Sequence, residues 1–128
     1  MIRPQYHGRH TSNGFLVWDI RKLLEKAAEL QVTEIEISAI AEFDENWWYQ
    51  SDEDVPTCRS IADHYQLMQE TDLQYPILLC AEGRLMDGMH RVMKSHCEGR
   101  KTIDARRFAT TPPPDFVDVD LEDLSYDD

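Results

Sequence analysis

The sequence predicts an α+β fold in which a small mixed β-sheet is packed with helices. Segments with the two-residue hydrophobic period of strands alternate along the chain with segments of helical period. The chain has 128 residues, of which 41% are hydrophobic and 30% charged, as in a single globular domain. A domain of this size buries enough apolar surface to fold without a structural metal or a disulfide.

Three regions follow from the distribution of these segments. Residues 1–31 are expected to form an extended N-terminal arm, to about residue 14, and then a helix. Residues 32–111 are expected to form the main domain. Residues 112–128 begin with three prolines, which act as a stiff boundary, and continue as an acidic C-terminal tail.

The N-terminal half contains two predicted helices and one predicted strand. Apolar residues at helical spacing predict an amphipathic helix over residues 19–31. Residues 34–38 alternate with period two, which predicts a half-buried strand. Thr57 is a suitable N-cap for a second helix over residues 57–71. The buried stripe of that helix is expected to consist of Ile61, Tyr65 and Met68.

The C-terminal half predicts a strand, a tight turn, a second strand, a helix and a final strand. The apolar run at residues 76–81 is typical of a strand covered on both faces. Gly83 lies in the turn, and residues 84–86 return as the antiparallel partner. A helix then runs from Gly88 to about residue 98, and the last strand covers residues 102–108.

The start of this third helix is the candidate ligand site. A helix N-terminus presents free N–H groups and the positive end of the helix dipole, which favour anions. Gly88 allows a ligand to approach the backbone, and Arg91 can hold a phosphate with paired hydrogen bonds. His90 and Lys94 follow in the first two turns, and Asp87 can hold Mg²⁺ beside the phosphate. The alternative is that Asp87 only caps the helix and that the other polar side chains are only solvated.

The order of motifs from residue 75 to residue 108 resembles the ParB/sulfiredoxin-like superfamily. The apolar strand of the superfamily corresponds to Tyr75-Pro76-Ile77-Leu78-Leu79. Its turn, second strand and DGxHR motif correspond to Glu82-Gly83-Arg84-Leu85-Met86-Asp87-Gly88-Met89-His90-Arg91. A looser match extends back to residues 32–40, which resemble the opening strand. The resemblance covers somewhat more than half of the chain and implies a ParB/sulfiredoxin-like fold.

By this resemblance the helix start binds the phosphates of ATP, ADP or CTP, through Gly88, His90 and Arg91. Sulfiredoxins carry their catalytic cysteine between the glycine and the histidine, where this chain has Met89. A thioether cannot act as an attacking thiolate, so sulfiredoxin chemistry is not expected. Only the proline run and the acidic tail follow Phe108, so a complete DNA-partition protein is not expected either.

Two further groups of residues extend the candidate site. Glu42 and Asp44 follow the first predicted strand, and a carboxylate there can take a proton from a substrate hydroxyl. The serine-kinase branch of the superfamily has a catalytic acid in this region, whereas the alternative is a solvated acidic loop. Trp47 and Trp48 can stack on a base, form a protein-binding surface or pin a loop to the core.

Charge and cysteine content indicate the class of protein. The net charge is −12, and because DNA is also negatively charged, direct DNA binding is not expected. Three cysteines without a CxxC pair indicate a reducing compartment, and no apolar run is long enough to cross a membrane. A cytoplasmic protein is therefore expected.

Two kinds of function remain open from the sequence. One is a ParB-like protein that binds a nucleotide or another phosphate ligand, and its catalytic form is a small nucleotide-dependent phosphotransferase or nucleotidase. The other is a non-catalytic binding module or a DNA-partition-related accessory protein. The first predicts turnover that depends on Arg91, and the second predicts a protein partner bound through Trp47 and Trp48.

Overall fold

The first β-sheet brings together segments that are far apart in sequence. The structure is a computed structural model, and it describes residues 5–50 and 52–125. Strands β1 (Tyr6–Thr11) and β2 (Gly14–Asp19) form an antiparallel hairpin. Strand β7 (Phe116–Val117) pairs with the other edge of β2, also antiparallel. The sheet therefore has the order β1-β2-β7.

The prediction of an extended N-terminal arm is wrong for its described part. The hairpin occupies most of the arm and continues to the first helix, while residues 1–4 of the predicted arm lie outside the described residues. Gly14, with φ of 111°, follows Asn13 at the turn, and Asn-Gly is a strong hairpin signal. Strand β1 is rich in polar and basic residues, which hid the alternation expected of a strand.

The second β-sheet is mixed, as predicted. It consists of β3 (Val32–Glu36), β4 (Ile77–Leu79), β5 (Leu85–Asp87) and β6 (Thr102–Arg107), in the order β3-β6-β4-β5. Strand β4 runs parallel to β6, and the other two pairs are antiparallel. The α+β class is confirmed, although the described residues form two small sheets where one was expected. The predicted strand at residues 34–38 is shifted, because 3₁₀ turns begin at Ile37.

Three α-helices lie in the described part of the chain: α1 (Ile20–Ala27), α2 (Cys58–Glu70) and α3 (Met89–Cys97). The side chain of Thr57 caps α2 by accepting a hydrogen bond from the backbone N–H of Ser60, which confirms the predicted cap. Helix α1 ends at Ala27, earlier than the predicted residue 31. None of the described helices is long and apolar enough to span a membrane.

The buried face of α2 is not the predicted one. Met68 is buried, but Ile61 and Tyr65 are 53% and 55% exposed. The contacts of the helix follow Ser60, His64 and Met68 instead, because Ser60 bonds to Tyr49 and His64 bonds to α3. This row is rotated by one residue from the predicted stripe at its first two positions. The row of Ser60, His64 and Met68 thus attaches α2 to the rest of the protein, while the apolar side chains of Ile61 and Tyr65 remain exposed to solvent.

Strand β4 separates two groups of core residues. Its alternating side chains point to opposite faces of the sheet, so Ile77 and Leu79 join one group while Leu78 and Cys80 join the other. The first group packs under α3, and its other members are Ile37, Ile40, Leu85, Met89, Val92, Ile103 and Ala105. The second group packs under α1, and its other members are Trp18, Ile20, Leu23, Ala27, Met86 and Phe108. The burial of Cys80 and of both faces of β4 agrees with the sequence.

The segment after β6 packs against the hairpin. The indole N–H of Trp18 donates to the carbonyl of Pro112 at 2.8 Å. A carboxylate oxygen of Asp115 accepts a 2.8 Å hydrogen bond from the backbone N–H of Asp19. Contacts therefore connect all three predicted regions, whose boundaries stay a prediction, and residues 126–128 of the predicted tail lie outside the described residues.

Candidate functional site

The turn between β5 and α3 opens into a cleft. Gly88 occupies the N-cap position of α3 with φ of 115°, and no side chain caps this helix end. Gly88, Met89, His90 and Arg91 all line a cleft of about 670 Å³. Free N–H groups of the first helical turn lie at the same place, so the cleft has the electrostatic character that attracts an anion.

Arg91 is held at the floor of this cleft by an ion pair. Its Nη2 atom lies 3.1 Å from Oδ2 of Asp87 and 3.4 Å from the carbonyl oxygen of Pro76. The side chains of Arg91 and Asp87 are only 16% and 20% exposed. The Nε atom of Arg91 is buried and has no hydrogen-bond partner among the described residues. A buried N–H group without an acceptor is uncommon, and this one is enclosed by protein atoms.

His90 forms a pair with a histidine of α2. Nε2 of His90 lies 3.0 Å from Nδ1 of His64. The indole of Trp48 stacks on both rings, with centroids 3.8 Å from His64 and 4.8 Å from His90. Burial lowers the pKa of His90 to about 4, and the neighbouring His64 and Arg91 also lower it. Burial likewise lowers the pKa of His64, so both rings are neutral at pH 7.

Lys94 is directed to the end of α2. Its Nζ atom donates to the carbonyl oxygens of Gln69 at 3.1 Å and Thr71 at 2.8 Å. A lysine ammonium at a helix C-terminus satisfies free carbonyl groups and complements the negative end of the dipole. Lys94 thus joins α3 to α2, and it is not among the residues that line the cleft.

The two candidate carboxylates lie away from the helix start. Glu42 is 3% exposed, and its Oε1 accepts a 2.8 Å hydrogen bond from the backbone N–H of Leu85. Its Oε2 lies 3.1 Å from Nη2 of Arg84, an ion pair that lacks hydrogen-bond geometry. Glu42 lines a smaller hollow of about 170 Å³, whereas Asp44 is exposed and lines neither hollow. The structure does not bring Glu42 or Asp44 together with His90.

Trp47 stands between the two hollows and lines both. Its ring stacks on His7 of β1, with centroids 5.6 Å apart. The ring of His7 also stacks on Trp18, at 5.7 Å. The loop that carries Trp47 and Trp48 is therefore attached to the hairpin on one side and to the histidine pair on the other. The two tryptophans anchor this loop, and both also line the cleft.

Within residues 5–50 and 52–125, no group of three or more His, Cys, Asp or Glu side chains is arranged to hold a metal ion. No protein-family model, no curated protein and no solved structure matches this chain. The function is therefore inferred from the residues of the cleft.

His64 is the site residue that sequence reasoning missed. It lies 26 positions before His90, and only the packing of α2 against α3 brings the two rings together. Its position one turn before Met68 on the buried row of α2 was the only available signal. That signal was hidden because the apolar residues Ile61 and Tyr65 suggested a different row.

Glu42 is expected to contribute to stability. Replacement of Glu42 by Ala leaves the buried N–H of Leu85 without its acceptor, and we expect a loss of about 2 kcal/mol in the free energy of unfolding. Glu42→Gln keeps an acceptor and should recover most of it. The matched control is Asp44→Ala at an exposed position, with a change within about 0.5 kcal/mol in urea denaturation. Equal stability of Glu42→Ala and Asp44→Ala would contradict this role.

Proposed function

We propose that the cleft binds a nucleotide or another phosphate-containing ligand, with a phosphate at the N-terminus of α3. The observation that carries the proposal is the conjunction of an uncapped helix start with the guanidinium of Arg91, which lines the same cleft. Backbone N–H groups and a guanidinium are the donors that phosphate oxygens prefer. Arg91 is already oriented by Asp87, so little side-chain entropy is lost on binding.

The aromatic wall of the cleft suits the base of a nucleotide. Trp47 and Trp48 line the same cleft as the helix start, together with Phe15 of the hairpin. Planar bases stack on aromatic side chains with little dependence on the identity of the base. ATP, ADP and CTP are therefore the ligands to test, as the resemblance to the ParB/sulfiredoxin-like superfamily also suggests.

Magnesium fits this proposal as a companion of the phosphates. Mg²⁺ is usually held by one or two carboxylates together with phosphate oxygens and water. Asp87 is the carboxylate next to the helix start, and its Oδ2 is engaged with Arg91. One carboxylate suffices for a metal that arrives with the nucleotide, so Asp87 is the residue that would hold it.

The ParB/sulfiredoxin-like fold itself is part of the proposal. Support comes from the order of elements from β3 through α2, β4, β5 and α3 to β6. The tight β4–β5 turn and the glycine at the start of α3 occur where the resemblance leads us to expect them. Gly88 and Arg91 are on this proposal the phosphate contacts, and His90 lies beside them in the cleft.

The proposal is tested by the melting temperature in the presence of ATP, ADP, CTP and GTP, with and without Mg²⁺. A ligand that binds only the folded state stabilises it, by about 2.7 kcal/mol at a concentration 100-fold above Kd. We expect one nucleotide to raise the melting temperature of the wild type and to have no effect on Arg91→Ala. Arg100→Ala is the matched control, because Arg100 pairs with Glu98 at the exposed far end of α3.

The result that contradicts the proposal is equally specific. The same melting temperature with and without every nucleotide, at millimolar concentration, would exclude a nucleotide site of useful affinity. Equal shifts of the melting temperature in the wild type and in Arg91→Ala would show that the nucleotide binds outside this cleft. Inorganic phosphate in a parallel series separates recognition of the phosphate group from recognition of the base.

A non-catalytic binding module is the second candidate. The observation that favours it is the exposure of Ile61 and Tyr65, which lie one turn apart on the same side of α2. Exposed apolar side chains on one helix face are common in protein-binding surfaces. On this candidate the partner contacts α2, whereas Trp47 and Trp48 hold the loop in place. Nucleotide turnover by the purified protein would count against it.

A further inference from the structure

The two histidines of the cleft are arranged as a hydrogen-bonded pair rather than as two separate rings. The N···N distance between His64 and His90 is 3.0 Å, the ring centroids are 5.2 Å apart, and the ring planes differ by 24°. The distance of 5.2 Å between the ring centroids is about the sum of the 3.0 Å N···N distance and the radii of the two rings. The rings therefore lie edge to edge, nearly in line, which is the geometry of a direct N–H···N hydrogen bond.

The indole of Trp48 covers one face of the histidine pair. The indole of Trp48 lies across both rings, at 16° to His64 and 24° to His90. His90 lines the cleft, whereas His64 does not. In the described part of the chain, neither Nδ1 of His90 nor Nε2 of His64 has a hydrogen-bond partner. Each ring thus has one nitrogen in the shared bond and one nitrogen free.

We propose that His64 and His90 are an acid–base pair, in which His90 exchanges a proton with a group bound in the cleft and His64 exchanges one with solvent. The substrate class is a ligand whose own hydroxyl, or a water beside it, loses a proton during the reaction. This inference uses the cleft but goes beyond nucleotide binding, because it assigns a chemical activity to the pair.

A proton can pass through the pair from the bound group to water without any other reactant. In the first form, Nε2–H of His90 donates to Nδ1 of His64, and neutral His64 carries its only proton on Nε2. Nδ1 of His90 takes a proton from the bound hydroxyl, the shared proton moves to Nδ1 of His64, and Nε2 of His64 releases its proton to water. The reverse path returns a proton to the product and restores the first form.

Burial is the main reason that both rings are neutral, which the exchange requires. Burial lowers the pKa of His90 to about 4, with Arg91 of α3 lowering it and Asp87 of β5 raising it. Burial also lowers the pKa of His64, against the opposite influence of Asp63 on α2. The loop contributes the ring of Tyr49, edge-on to His64 at 6.1 Å. A neutral imidazole is the form that accepts a proton.

The geometry favours a shared proton over a shared metal ion. Two imidazoles that hold a metal direct their lone pairs to a third point, whereas in-line rings direct them at each other. The described residues also provide no group of three ligands for a metal. Zinc in place of a proton is nevertheless an outcome that the following measurement distinguishes, because metal-bound nitrogens share no hydrogen.

The first measurement is nuclear magnetic resonance of the full-length protein with ¹⁵N-labelled histidine at pH 7. We expect a coupling across the hydrogen bond between Nε2 of His90 and Nδ1 of His64, with one proton between them. Absence of this coupling, or of the shared proton, would overturn the proposal. The measurement needs no ligand, so it is independent of whether the cleft binds nucleotides.

The second measurement is the hydrolysis of p-nitrophenyl acetate, with attacking water as the proton donor. Water forms the new C–O bond, p-nitrophenolate leaves, and the proton passes through His90 and His64. His64→Phe keeps a ring against Trp48 but has no nitrogen, and we expect the rate to fall at least about tenfold. His64→Asn places a polar group near the position of Nδ1 and should recover part of the rate. His96→Phe, at an exposed position of α3, is the matched control.

The pH profile separates this role from a structural one. The wild-type rate should reach its plateau at a lower pH than hydrolysis by an exposed histidine, which rises through about pH 6.5, because the pKa of each ring of the pair is lowered. A rate in His64→Phe equal to that of the wild type would overturn the proposal even if the coupling is present. Failure of every nucleotide to bind would overturn the proposed function and leave both of these readouts unchanged.

Discussion

The free energy of unfolding should fall as the pH is lowered from 6.5 towards 4, and His7 is one main cause. The ring is 8% exposed and lies between Trp18 and Trp47. Burial and, to a smaller extent, the charge of Arg9 lower the pKa of His7 to about 3, whereas the unfolded chain has a value near 6.5. Between these values the unfolded state binds a proton that the folded state does not. The stabilisation is therefore complete above pH 6.5 and is lost as the pH falls.

The expected slope is about 1.4 kcal/mol per pH unit for His7, or about 3 kcal/mol between pH 6.5 and pH 4. Urea denaturation at intervals of half a pH unit measures it. His7→Phe keeps an aromatic ring between the two tryptophans and should remove this slope. His90, whose pKa is about 4, adds a slope of its own in both proteins.

The matched control for this measurement is His10→Phe. His10 lies on the same strand but is exposed, so its replacement should leave the pH dependence of stability unchanged. A wild-type stability that is constant from pH 7 to pH 4.5 would contradict the prediction. So would an equal slope in the wild type and in His7→Phe.

Replacement of Gly88 by Ala should destabilise the protein by about 3 kcal/mol. Gly88 has φ of 115°, a left-handed conformation that side chains rarely adopt. An added Cβ would also lie 2.6 Å from Cγ2 of Ile77 and 2.9 Å from Nη2 of Arg91. Ile77 is fully buried on β4 and cannot move aside without opening the core. The backbone strain and the steric overlap with Ile77 and Arg91 therefore both contribute to the expected loss of stability.

Gly99→Ala is the control for the backbone contribution alone. Gly99 also has a positive φ, of 78°, but nothing lies within 4 Å of an added Cβ. We expect a loss of about 1 kcal/mol there, measured by urea denaturation of both variants. Equal losses at Gly88 and Gly99 would show that Ile77 relaxes and that packing at the helix start is not tight.

Local signals in the sequence predicted local structure well. The cap at Thr57, the turn at Gly83 and the apolar run of β4 each act within a few residues, and each is present as expected. The mixed sheet also followed, because its strands alternate with helices along the chain. These features depend on backbone preferences and hydrophobic period, which a single sequence displays directly.

Features that depend on distant pairing were not visible in this way. The β1–β2 hairpin is polar, and β7 is only two residues long, so neither shows a strong strand pattern before its partner is known. The same distinction between local signals and distant pairing applies to the candidate site. The helix start at Gly88 was expected from its motif, whereas the partners of His90, Lys94 and Glu42 are fixed by packing between elements.

The pairing of β2 with β7 has a consequence for how the chain is made. Trp18 and its acceptor Pro112 are separated by 94 residues, and Asp118 accepts from Phe15 across 103 residues. A ribosome adds roughly 5–20 residues each second, so the edge of the hairpin stays open for several seconds or more after β2 has been synthesised. During translation β2 therefore cannot pair with β7 until the C-terminal strand has been synthesised. We expect the N-terminal hairpin to be among the last parts of the protein to reach the native structure.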